Sequence, residues 1–214
     1  MNDCFFTSAP QLKRDSLGRN RGMFWFANDG GPLLIAPLRA LEAWDGGDPP
    51  TDGRTITVEW QYDPTKPATD YDRACAIGQP AGVIKIGNSW GVVVTAEGSA
   101  TWLDIGLLAT VLVQEDSAEG TLLELLHGLP ETAWKPVAPS AIIDGDGLLL
   151  LHAASTLKDV EIRGPSDSEQ AYIGDAILSP VPAGRYDIEY ASRSTSDVSE
   201  VGFLRFRLLD SVAA

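Results

Sequence analysis

The sequence predicts a mainly β protein: a β-rich α+β chain of antiparallel, sandwich-like modules with one or two short helices. Two kinds of observation predict it. Apolar and polar residues alternate with period two in several runs, the mark of strands with one buried face. Gly, Asn, Asp and Pro clusters separate those runs at turn spacing.

The elements follow in order. Residues 1–22 are polar and mixed and read as an N-terminal arm. Met23 to Ala27 reads as a strand, Asn28-Asp29-Gly30-Gly31 as the turn closing it, and Pro32 to Ala36 as the returning strand. Leu38, Leu41 and Trp44 recur at helical spacing, predicting about two turns of helix. Asp45-Gly46-Gly47-Asp48-Pro49-Pro50 ends it. Ile56, Val58 and Trp60 alternate with Thr55, Thr57 and Glu59, predicting a half-buried strand. Asp63 to Thr69, with Pro64 and Pro67, is a loop. Asp70-Tyr71-Asp72-Arg73 precedes a small apolar strand.

Gly82 to Ile86 and Trp90 to Val94 flank Gly87-Asn88-Ser89, which predicts a hairpin. Leu107 to Val113 is another strand. Thr121 to Leu129 fits either a short helix or a strand. Pro130, Pro136 and Pro139 mark a connection between halves. Gly147 to Leu151, Tyr172 to Leu178 and Arg185 to Tyr190 read as strands; in the last, Tyr186, Ile188 and Tyr190 oppose Asp187 and Glu189. Leu204, Phe206 and Leu208 alternate with Arg205 and Arg207 in the final strand. The expected organisation is an arm (1–22), an N-terminal β-rich module (23–130), and a C-terminal one (131–214) that either stands alone or packs with the first as one unit. An echo between Gly31-Pro32-Leu33-Leu34-Ile35 and Gly147-Leu148-Leu149-Leu150-Leu151 fits both a duplication and a chance likeness of Leu-rich strands.

With 30 acidic and 16 basic residues in 214, the net charge is −14. Residues 108–214 carry −10 of it. Such a surface repels phosphate backbones, so nucleic acid is not an expected partner, whereas a basic protein is drawn in. A generally acidic soluble protein has the same composition. Apolar residues, 44% of the chain, suffice for a core. No apolar run spans a membrane, no secretory signal follows the basic start, and two cysteines make no disulfide scaffold. A cytoplasmic location is expected.

Catalytic patterns are sparse. His127 and His152 lie in no metal spacing, and no metal or cofactor is implied. Asp144-Gly145-Asp146-Gly147 is a fragment of a calcium-loop pattern without the closing Glu; as a turn it is routine. There is no Gly-x-Ser-x-Gly elbow and no phosphate loop. The Asp70–Arg73 segment stands out. Asp70 and Asp72 suit either a cationic partner or a cap on the following segment, Tyr71 offers rigid contact area, and Arg73 suits an internal ion pair. Six tryptophans have core packing as their default role; any found exposed among carboxylates becomes an interface anchor.

Gly30-Gly31-Pro32-Leu33-Leu34-Ile35-Ala36-Pro37, Trp44-Asp45-Gly46 and Asp70-Tyr71-Asp72-Arg73-Ala74-Cys75-Ala76 resemble the immunity protein 21 family. So do Gly82-Val83-Ile84, Gly91-Val92-Val93-Val94 and Thr101-Trp102-Leu103. These blocks cover about residues 25–105 in the right order. Where the family has a short acidic turn, this chain has Gly78-Gln79-Pro80-Ala81. The resemblance implies a non-enzymatic bacterial protein of polymorphic toxin systems that binds a cognate toxin domain, expected to be basic, and occludes its active site. Candidate contacts are Asp70, Tyr71, Asp72, Glu115, Asp116 and Glu119. Gly30, Gly31, Pro32, Trp44, Arg73 and Trp102 are expected to build the motif's structure. The alternatives are a β-sandwich module for a small molecule or carbohydrate, which needs a concave pocket with two or three exposed tryptophans, and a carboxylate hydrolase.

Overall fold

The computed structural model describes residues 25–26, 30–61, 63–95, 98–104, 107–111, 119–144, 146–163, 170–171, 174–193 and 201–211. The polar arm, Glu115, Asp116, Tyr172 and Ile173 lie outside the described residues. The chain is strand-rich and builds two mostly antiparallel sheets.

One sheet has seven strands. Its spatial order is β10 (Gln170–Ala171), β1 (Trp25–Phe26), β5 (Ser99–Asp104), β6 (Leu107–Val111), β13 (Val201–Ser211), β12 (Gly184–Arg193) and β7 (Lys135–Ile143). The other has six: β3 (Ala81–Ile86), β4 (Ser89–Val94), β2 (Leu33–Pro37), β8 (Leu148–His152), β11 (Asp175–Ser179) and β9 (Glu161–Arg163). Among the described residues, only β1–β10 and β9–β11 pair in parallel. Each sheet takes strands from both sides of residue 130.

The sheets pack face to face over Leu33, Ile35, Val92, Leu148 and Leu150 from one and Phe26, Leu108, Ile188, Leu204 and Phe206 from the other. Full burial of each such side chain is worth about 1.5–3 kcal/mol. Both outer faces are covered as well. A 3₁₀ helix (Leu38–Ala43) and α1 (Asp70–Cys75) pack on the six-stranded sheet through Leu41, Trp44 and Ala74. A second helix, α2 (Glu119–His127), packs on the seven-stranded sheet through Leu122 against Ala109, Val201 and Phe203. This layering explains why β2 and β8 read as unbroken apolar runs: each is buried on both faces along its whole length.

The Gly87-Asn88 hairpin forms, with Ile86 opposite Ser89. Leu38, Leu41 and Trp44 are spaced by three, and the helix they start is accordingly 3₁₀, with three residues per turn. Thr121 to Leu129 resolves to the helix α2.

Three expectations are corrected. Trp25–Phe26 and Leu33–Pro37 do not form a hairpin, because β1 pairs with β5 and β10 while β2 pairs with β4 and β8. The glycine-rich link between them crosses from one sheet to the other. The apolar segment after Arg73 is the end of a helix, started by a capping box in which the Thr69 hydroxyl accepts from the Asp72 N–H and Asp72 accepts from the Thr69 N–H. Thr55 to Trp60 belongs to no strand, although burial alternates from Thr55 to Val58 as a strand's would.

Candidate functional site

The charged and aromatic residues of the Trp44–Gly46 and Asp70–Arg73 blocks gather at one place, on the outer face of the six-stranded sheet. Asp70, in the first turn of α1, is fully buried. A carboxylate in that position needs compensating donors, and three groups supply them. Arg54 Nη2 lies 2.5 Å from Oδ2, Arg73 Nη1 lies 2.7 Å from Oδ1, and the Asp45 N–H donates to Oδ2 at 3.0 Å. Arg73 also donates to the Lys85 carbonyl at 2.6 Å, tying the helix to β3. Arg54 reaches Asp45 at 3.0 Å and Asp52 at 2.8 Å. Burial works against the Arg54 charge, but its hydrogen bond to Asp52 and the charges of Asp70, Asp52 and Asp45 outweigh it and hold the guanidinium above its ordinary value.

Beside this cluster, Trp44-Asp45-Gly46 and the end of β8 lock together. Trp44 Nε1 donates to the Ala153 carbonyl at 3.0 Å, Gly47 N–H to Ala154 at 2.9 Å, and Tyr71 N–H to Gly46 at 2.8 Å. Gly46 has φ +57°, and a Cβ there would sit 2.4 Å from the Ala154 oxygen, so only glycine fits. The Tyr71 ring stacks on His152 at 5.8 Å. Gly31, with φ +88°, is pressed against both, since an added Cβ would meet the Tyr71 hydroxyl at 2.7 Å and His152 Nε2 at 3.0 Å.

Two groups with nucleophile or base chemistry are engaged here. His152 Nδ1 accepts from the Ala154 N–H at 3.2 Å, which leaves Nε2 as the protonated nitrogen donating to the Gly30 carbonyl at 2.9 Å. Both ring nitrogens are used in holding the link from Gly30 to β2. Burial raises the Cys75 thiol above its ordinary range, Tyr71 opposing and Asp72 adding to the shift. A raised thiol is protonated and a poor nucleophile. Among the described residues no three His, Cys, Asp or Glu side chains are grouped to hold a metal ion.

The structure thus brings together Gly31, Trp44, Asp70, Tyr71, Asp72 and Arg73. It turns the Asp70 and Asp72 side chains inward, one into the ion cluster and the other into the capping box. Glu119 opens α2 on the opposite face of the sandwich. Trp102 packs its ring at 6.2 Å on Phe206, away from this cluster. Sequence reasoning missed Arg54, Asp45 as a partner of Arg54, and the stacking of Tyr71 on His152, which sits at the end of β8. Arg54 had one signal available: it is the sole cation among the six carboxylates of residues 42–63.

Two further surface features bear on ligands. A groove of ≈ 810 Å³ opens between the edge strands β3 and β7, lined by Val83, Ile142, Arg39 and a single tryptophan, Trp90. The Trp90 indole N–H is spent on the Ile142 carbonyl at 3.0 Å, bridging the two sheets. Trp60, by contrast, is 54% exposed and lies next to Glu59, itself exposed. No helix among the described residues is long and apolar enough to cross a membrane.

Comparison with known proteins adds one positive finding. The family model for Immunity protein 21 matches residues 24–199, most of the chain and all of the cluster just described. No curated protein and no solved structure matches it. The match extends the likeness of the 25–105 blocks through the second half, and on it the chain belongs to the immunity protein 21 family.

Proposed function

We infer that this chain carries its family's immunity role in toxin systems. We propose that this chain performs it by binding a cognate toxin domain and covering the toxin's active site, with no bond made or broken. The observation that carries the reading is family membership joined to a net charge of −14. Such a field accelerates encounter with a basic domain and is screened by salt.

In this reading Asp70 and Asp72 act indirectly, by fixing α1 and the loop from Trp44 to Arg54, while Tyr71 stays packed on His152. Glu115, Asp116 and Glu119 are contact candidates on their charge, and Glu119 opens α2. The test is co-expression with the toxin domain encoded beside this gene. The reading expects a stoichiometric complex and restored growth. A toxin that neither binds the chain nor loses its lethality contradicts it.

A further inference from the structure

Thr55 to Trp60 has the composition and alternation of a strand, yet among the described residues it is paired with nothing. Among the described residues, no backbone N–H or C=O of these six positions has a hydrogen-bond partner. A strand-like stretch with free ladder groups is a template for another strand, and folds that leave one exposed usually blunt it with Pro or Lys. Thr55–Trp60 carries neither. It is also held in place. Arg54, immediately before it, is tied to Asp45, Asp52 and buried Asp70. Just beyond it, the Gln61 side chain donates to the Lys66 carbonyl at 3.3 Å. A segment anchored at both ends loses less freedom when a partner docks.

The surroundings specify the partner's charge. Residues 42–63 contain Glu42, Asp45, Asp48, Asp52, Glu59 and Asp63 against one cation, Arg54. Arg54 occupies Asp45 and Asp52, and Lys66 occupies Asp63. Glu42, Asp48 and Glu59 are exposed and have no cationic partner among the described residues. Trp60 adds an exposed aromatic surface of the kind that anchors interfaces.

We propose that Thr55–Trp60 is the edge on which the toxin domain docks, through a strand rich in Lys and Arg that pairs with this backbone and packs on Trp60. This deepens the binding role above and rests on it. Hydrogen exchange of the 55–60 amides, with and without a catalytically inactivated toxin domain from the neighbouring gene, reads it directly. In the isolated chain these amides exchange near the free-peptide rate; in the complex they slow by at least about tenfold.

Two sets of variants accompany the exchange measurement. Thr57→Pro removes an N–H that the free chain does not use, so it melts with the parent protein while binding falls at least about tenfold. Trp60→Ala weakens binding by about 30-fold. The combination Glu42→Gln, Asp48→Asn and Glu59→Gln lowers the association rate about tenfold at low salt. A complex that forms with 55–60 exchange unchanged overturns the docking edge alone. So does slow exchange in the isolated chain, which means that the edge is already covered by this chain or by a second copy. No complex at all overturns the binding role, and this inference with it.

Discussion

The two outer faces of the sandwich each carry a charged cluster, and the clusters are built in opposite senses. On the six-stranded side the centre is a carboxylate, Asp70, fully buried and ringed by Arg54 and Arg73. On the seven-stranded side the centre is a cation. Arg205 bonds Glu189 at 2.7 Å and Glu131 at 3.0 and 2.7 Å, and lies 4.1 Å over the Trp134 ring. Glu131 is 79% exposed, and the neighbouring pair Arg207–Asp187 lies in reach of water. Arg205 and Glu189 are themselves mostly buried, so the contrast lies in the partners: fully buried Asp70 cannot lose its cations, whereas the bonds to exposed Glu131 are largely replaced by solvent.

The double variant Arg54→Ala with Arg73→Ala sharpens this contrast most. It leaves Asp70 buried without a cation and is expected to lower unfolding stability by about 3–5 kcal/mol in a urea titration. A loss near that of a surface pair would erase the distinction between the faces. Gly46→Ala comes next. It combines a left-handed backbone with a clash on the Ala154 carbonyl, for about 2–3 kcal/mol. On the other face, Arg205→Lys keeps the charge but loses the fork to Glu131 and the stacking on Trp134, at about 1 kcal/mol.

The smallest effect is one of pH. The Arg205 hydrogen bond holds the Glu131 carboxyl below its ordinary value. A lowered folded value means that the contribution is present above the ordinary glutamate range, about 4.3, and fades as pH falls through the lower folded value. Glu131→Gln should therefore differ from the parent at neutral pH and converge with it in acid, as followed by melting temperature. Differences that grow in acid would reverse the sign of the argument.

How much of this was legible in the sequence depends on the range of the signal. Tyr186, Ile188 and Tyr190 opposite Asp187 and Glu189, and the Gly87-Asn88 hairpin, were readable because alternation and turn chemistry are local. Ile56, Val58 and Trp60 show the limit of the same signal. Period-two alternation reports which side chains are buried, and it does not report whether the backbone has a neighbour. The link from Phe26 to Leu33 has turn residues that suit a hairpin and a crossing between sheets equally well. The Asp70 cluster was beyond local reading, because Arg54 is 16 residues away and His152 is 81 residues from its stacking partner Tyr71. The family's blocks included Asp70 and Tyr71 but neither Arg54 nor His152.

Whether this chain silences a toxin by occupying it is tested most directly by titrating the purified protein into an activity assay of the toxin domain encoded beside it. The account predicts activity falling linearly to background at one equivalent, with the rate of onset slowed by added salt. Full toxin activity in the presence of a several-fold excess of folded chain would contradict it.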